Sequence, residues 1–237
     1  AGHCAALAAA QAGARVLWLE KQSQPGGSTA MCGGALAFAG TDLQKAKGIQ
    51  DSPELLEEDL MKAGKYRNDR ALVHEYAVRQ HDAYRWLTGL GVRIESVSLS
   101  GSQSVPRNHA TQPQEALACL RAHALNSGRV TLRTSAAVQR LWVDAIGGER
   151  VVKGVELSTG ERISAPGGVI LATGGFSRAP DLVDKFAPEL AAARPDVILF
   201  VGDDEDDQAE PAADSRPAAG KAEAAVTAAG FDIGATS

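Results

Sequence analysis

The sequence predicts an α/β fold on a parallel central sheet, incomplete at both ends, with a small β-meander set into it. Three observations carry that prediction. A helical, Ala-rich stretch runs straight into a short apolar strand at residues 14–19. Strand-length runs separated by turn residues follow at 129–133, 137–143, 151–157 and 161–163. Val169-Ile170-Leu171-Ala172 is apolar throughout, the pattern of a strand covered on both faces in a parallel sheet.

The first residues, Ala1-Gly2-His3-Cys4-Ala5, open a helix over about 3–12 that Gly13 stops. The strand after it closes on Glu20. Together they read as the second half of a dinucleotide-binding βαβ unit, whose first strand and first glycine are expected before residue 1. Gly2 suits the second glycine of a G-x-G-x-x-G/A turn, where a missing side chain lets the backbone approach a pyrophosphate. Ala5 suits the third, small position. Glu20 follows Gly2 at about the reach expected of a carboxylate that accepts hydrogen bonds from a ribose diol.

Residues 22–34 then place two Gly-Gly pairs around Ser28, Thr29, Met31 and Cys32, with Pro25 forcing a turn at the front. Such a loop exposes backbone N–H groups and hydroxyls to a phosphate or a polar ring. A plain surface turn is the simpler reading, and its place directly after Glu20 favours the ligand reading. Ser52-Pro53-Glu54 starts a helix that runs to about Ala63 and stops at Gly64. Asn68-Asp69 opens a longer helix that ends at Gly91. His74 and His81 lie seven apart on it without acid or cysteine partners at ligand spacing, which makes them solvated surface histidines. Residues 98–109 read as a polar loop, and about 114–125 as an Ala/Leu helix. Gly147-Gly148 and Thr159-Gly160 supply turns for the meander. From about Arg194 the texture changes to an acid cluster and then Ala, Gly, Pro and charge, so 196–237 are expected to be a divergent, disordered tail.

Composition narrows the function. A hydrophobic content of 44% suits a globular core, and 5% aromatics makes that core mostly Ala, Val and Leu. A net charge of −5 offers no basic surface for nucleic acid. No run approaches the roughly 18 apolar residues of a membrane span. Cys4, Cys32 and Cys119 are scattered and odd in number, against a disulfide framework or a zinc site and compatible with a reducing compartment, the cytoplasm being slightly favoured.

The order of motifs (partial GxGxxA helix, Leu19-Glu20-Lys21, the GGST…GG loop, and a distal Ala172-Thr173-Gly174-Gly175-Phe176) resembles the fumarate reductase/succinate dehydrogenase flavoprotein family. Residues 41–64, 68–73 and 86–92 are particularly similar to its soluble flavocytochrome c-type fumarate reductases, and the likeness covers about 1–190. It implies a Rossmann-like FAD-binding domain with FAD as cofactor, and in the intact relative a small-molecule acid substrate and an electron donor that the sequence does not identify. Gly2 would serve the pyrophosphate, Glu20 the adenosine ribose, and Lys21 the adenine end. Gly27, Ser28, Thr29, Gly33 and Gly34 would line the pyrophosphate–isoalloxazine side. Val138 matches a backbone contact to adenine, and Ala172, Thr173 and Gly174 match the return of a strand to the cofactor. The family's reaction moves hydride between flavin and an unsaturated or saturated acid.

The sequence also departs from the family. After Arg107-Asn108-His109 the usual proline and glycines are replaced by Ala-Thr-Gln-Pro-Gln, and the later T-G-D-G stretch is missing. The segments carrying the family's substrate arginines and histidines have no counterpart, so catalytic residues are unassigned and the chain alone is expected not to turn over. Arg107 and His109 are assigned to the loop, since nothing in sequence pairs with them. The rivals are an NAD-binding Rossmann module, for which Glu20 would repel a 2′-phosphate, and a non-catalytic truncated remnant.

Overall fold

The computed structural model describes residues 1–176 and 179–188. Residues 1–174 form one compact unit. Its first helix, α1 (Gly2–Gln11), is made of strong helix formers and ends where Gly13 takes φ +91°. The next strand, β1 (Val16–Leu19), pairs in parallel with β5 (Val130–Arg133), in register from Val16 opposite Val130 to Leu19 opposite Arg133. Helix α1 and helix α5 (Pro113–Asn126) pack together against this pair, burying Leu7, Ala10, Trp18, Leu120, Ala124 and Val130 in one cluster. The run at 129–133, expected in the meander, therefore belongs to the parallel sheet. Parallel partners are necessarily far apart in sequence, so spacing alone groups that run with the wrong neighbours.

The meander itself is β6 (Val138–Ile146), β7 (Glu149–Leu157) and β8 (Arg162–Ser164), antiparallel in that order around the two expected turns. Its inner face buries Val155 and Leu157 with Ala136, and Leu19, Val138 and Val169 pack on them. Residues 169–172 are not a strand. Ile170 and Leu171 are 67% and 56% exposed, with no described strand beside them to share backbone hydrogen bonds.

A second layer holds segments that sequence pattern did not separate. A short sheet orders β2 (Ala35–Ala37), β4 (Asn108–Ala110) and β3 (Ser96–Ser98), all antiparallel. Helix α2 (Asp42–Ala46) starts in a capping box between Thr41 and Gln44, a Thr-x-x-Gln spacing visible in the sequence but not read there. Helix α3 (Pro53–Ala63) starts as expected on the Ser52 hydroxyl, which accepts the Leu55 N–H, and α4 (Arg70–Gly89) starts on the Asp69 carboxylate. The stretch read as a polar loop is thus bounded by two paired strands, and both its chemically interesting residues lie inside.

The described residues beyond 174 include α6 (Pro180–Phe186), with Phe186 meeting Phe176 edge-on at 6.0 Å. The expected divergent tail at 196–237 lies outside the described residues.

Candidate functional site

In open α/β sheets, ligands lie beyond the carboxyl ends of parallel strands. Here β1 and β5 end at Leu19 and Arg133, and the two exits are tied together. The Glu20 N–H donates to the Arg133 carbonyl, the Ala136 N–H to the Glu20 carbonyl and the Ser135 N–H to the Gln22 carbonyl, each at 2.9 Å. Ser135 holds φ +52° to make this crossing, a left-handed backbone for which the sequence gives no signal. The Glu20 carboxylate accepts the Gln22 N–H at Oε1, 2.9 Å away. Its other oxygen has no hydrogen bond among the described residues. Val138 starts β6 next to this crossing, opposite Leu157 and half-buried on the same cluster that Leu19 packs against, so Glu20 and Val138 lie near one edge. Lys21 is exposed beside them.

Gly2 begins α1 at the same edge. A Cβ built there would rest 3.6 Å from Ala172 Cβ and 3.8 Å from Trp18 Nε1, ordinary contacts. The protein leaves room for a methyl, so the case for glycine there rests on a ligand approaching the helix end. Ala172, Thr173 and Gly174 are exposed, and Gly174 takes φ +78°. Beside Gly2, His3 is buried with its Nε2 unpartnered among the described residues and its ring edge-on to Trp18 at 4.5 Å. Burial first, and then Arg121, lowers its pKa to about 4.

The glycine-rich loop turns through a short 3₁₀ segment, Gly27–Met31, leaving Gly27, Ser28, Thr29 and Gly33 exposed. It rests against α5, with Gly26 near Leu117, and a cleft runs between Ala30, Met31 and Cys32 on one side and Gln112 to Glu115 on the other. Gly34 is a different case. It is buried at φ +80°, and a Cβ there would sit 2.2 Å from the Thr111 carbonyl oxygen. The fold itself demands that glycine.

Arg107 and His109 are the largest surprise, because both are fully buried with every side-chain nitrogen hydrogen-bonded. Arg107 donates to Asp51 through Nε at 2.9 Å and Nη2 at 2.6 Å, and to Asp59 through Nη1. Asp59 also accepts the Ser104 N–H and hydroxyl, and Asp51 accepts the Gln44 amide. Burial opposes the charges on both partners, yet the hydrogen bonds hold Arg107 above and Asp59 below their usual pKa values. His109 donates from Nδ1 to the Arg107 carbonyl at 2.8 Å, which leaves Nε2 to accept the Thr41 hydroxyl at 2.8 Å. Burial keeps its pKa below the usual value against the pull of the Arg107 and Leu36 backbone and of Asp51. Neither side chain reaches an anion site.

His74 is exposed and pairs with Glu57, whereas His81 is half-buried and stacks on Tyr84 at 6.0 Å, so only His74 is the solvated residue expected. Among the described residues no group of three or more His, Cys, Asp or Glu is placed to hold a metal, and no helix is long and apolar enough to cross a membrane.

Residues 1–195 match the FAD binding domain family. The chain belongs to that family. Its cofactor is FAD, which sets aside the nicotinamide reading. The domain is similar to the cytochrome-type fumarate reductase of Shewanella frigidimarina, at 33% identity over 194 residues, covering 80% of this chain and 34% of that protein. It is similar to a urocanate reductase of Eggerthella lenta at 34% identity, covering 80% of this chain and 32% of that one. Among solved structures, an open flavocytochrome c3 fumarate reductase superposes with a TM-score of 0.73 at 31% identity, over 80% of this chain and 34% of the other. A 3-ketosteroid-Δ4-(5α)-dehydrogenase from Rhodococcus jostii gives 0.70 at 29% identity, over 80% and 47%. The chain spans about a third of the length of the curated relatives it matches.

The residues present suit FAD. Neither α1 nor α5 has a side chain capping its first N–H groups, which leaves amide donors and the positive end of each helix dipole for anionic oxygens. A carboxylate with an unused oxygen stands at the strand end, where a diol would be recognised.

Proposed function

We propose that this FAD binding domain serves a flavin-dependent oxidoreductase that moves hydride between flavin and an unsaturated or saturated acid. The observation that supports it most is the Glu20 carboxylate at the carboxyl end of parallel strand β1, two residues beyond Trp18, which lies against the start of α1. Glu20 would accept the adenosine ribose hydroxyls through the oxygen not held by Gln22. The backbone at Gly2 would approach the pyrophosphate, with Ala172, Thr173 and Gly174 alongside. Val138 would present its backbone to adenine, with Lys21 at that end. Gly27, Ser28, Thr29, Gly33 and Gly34 would line the pyrophosphate–isoalloxazine side, Gly34 from a position fixed by Thr111. FAD, when bound, supplies the hydride chemistry, and the protein supplies its position and surroundings.

The acid-type substrate rests on the names of the relatives, which include reductases of fumarate and urocanate. The test is titration of the purified chain with FAD, followed by its visible absorbance and by quenching of flavin fluorescence. Saturable uptake that Gly2→Val abolishes and Glu20→Ala weakens is the expected result. Equal affinity in both variants would remove the assignment of this βαβ unit.

A further inference from the structure

We infer that Thr111 is a positioning residue that fixes the glycine-rich turn, and through it the bound cofactor. The inference rests on the FAD reading above. Arg107, His109 and Thr111 alternate along β4 and its flanks, and all three are buried. Each ties β4 to a different segment. Arg107 holds Asp51 just before α3 and Asp59 within it, and His109 holds Thr41 at the start of α2. Thr111 holds the glycine-rich turn itself.

That last tie is double. The Thr111 N–H donates to the Gly34 carbonyl at 2.9 Å, and its hydroxyl donates to the same oxygen at 2.8 Å. The reverse contact is steric, since the Thr111 carbonyl occupies the space a Gly34 side chain would need. Donor pair and missing Cβ interlock, so the end of the turn has one seat. Residues 27–33 are exposed or half-buried, resting on α5 near Leu117 at the front and tied at Gly34 at the back. The cleft between Cys32 and Gln112 opens directly beside the Gly34–Thr111 tie. Thr111 therefore fixes the end of the turn beside that cleft, and with it the aim of the turn's N–H groups and hydroxyls. A loop presented to a phosphate or flavin ring binds best when its seat is fixed beforehand.

The test compares the full chain with Thr111→Val and Thr111→Ser. Valine keeps the shape and the backbone donor but removes the hydroxyl, and serine restores it. Amide hydrogen exchange is read without cofactor at position 111, whose N–H is bonded to Gly34, and in β7 as a remote reference. FAD affinity is then read by fluorescence quenching. With valine, exchange at position 111 should speed about tenfold while β7 stays unchanged, and FAD should bind about tenfold more weakly; serine should return both to near the parent values. Unchanged exchange overturns the inference, as does faster exchange with unchanged affinity. Faster exchange in β7 as well would mean general destabilisation and would also overturn it. If the parent chain takes up no FAD, the FAD reading fails by itself, and exchange at position 111 alone decides whether Thr111 fixes the turn.

Discussion

Arg107 commits all three guanidinium nitrogens to Asp51 and Asp59, while Glu20 commits one carboxylate oxygen to Gln22 and keeps the other at the surface. The first region is a closed polar knot, in which Gln44, Ser104, Thr41 and His109 occupy the remaining donors and acceptors. The second is an open edge of exposed glycines, hydroxyls and uncapped helix ends. Both look like chemistry in one dimension, and an Arg-x-His pair looks more so than a lone glutamate. What separates them is satisfaction. A side chain whose hydrogen bonds are all made within the fold does structural work, and one with an unused lone pair at a strand end is placed for a ligand.

That contrast can be broken by experiment, and the largest effect should come from the knot. Arg107→Ala strands Asp51 and Asp59 in the interior and should cost about 3–5 kcal/mol in urea denaturation. Any loss of FAD uptake by this variant should follow its unfolded fraction. A stable Arg107→Ala chain that binds FAD poorly would move Arg107 into the site and dissolve the contrast.

Glu20→Ala should do the reverse. It should weaken FAD binding by about 1–3 kcal/mol and cost less in urea denaturation, about 0.5–1.5 kcal/mol, because the one hydrogen bond it removes within the protein is the local one from the Gln22 N–H. Paired titration and denaturation of the same preparation would show whether binding and folding separate in this way.

His3 sharpens the boundary between the two regions, since it is buried like the knot but lies beside Gly2. Its folded pKa of about 4 lies below the unfolded value, so the unfolded chain binds the proton more tightly between them. Stability should therefore fall as pH drops below about 6.5, by about 2 kcal/mol from pH 7.5 to pH 5 for this group. Burial of His109 acts in the same direction. His3→Phe keeps a ring against Trp18 and should flatten this part of the pH dependence. The same slope in parent and variant would show that His3 is not neutral for the reason given.

The smallest effect belongs to His74, whose pair with Glu57 is largely solvent-exposed on the histidine side. His74→Ala should change the urea midpoint by less than about 0.5 kcal/mol equivalent and leave FAD binding untouched. A larger change would mean that the α3–α4 surface carries more than packing.

Sequence alone determined the features that short-range chemistry writes. Gly13 ends α1, and Ser52 with Pro53 starts α3. Asp69 starts α4, and Gly147-Gly148 turns the meander, because caps and turns are satisfied within a few residues of themselves. The half fingerprint at Gly2 and Glu20 was legible for the same reason, since a helix–strand unit carries its own period. Tertiary structure alone decided the rest. It paired β1 with β5 across more than a hundred residues and joined Arg107 to partners 56 and 48 positions away. It also seated Gly34 on Thr111 across 77. Parallel pairing and buried ion pairs need only proximity in space, so they leave no local period to read, and a buried arginine whose nitrogens are all engaged looks in sequence like part of a polar loop.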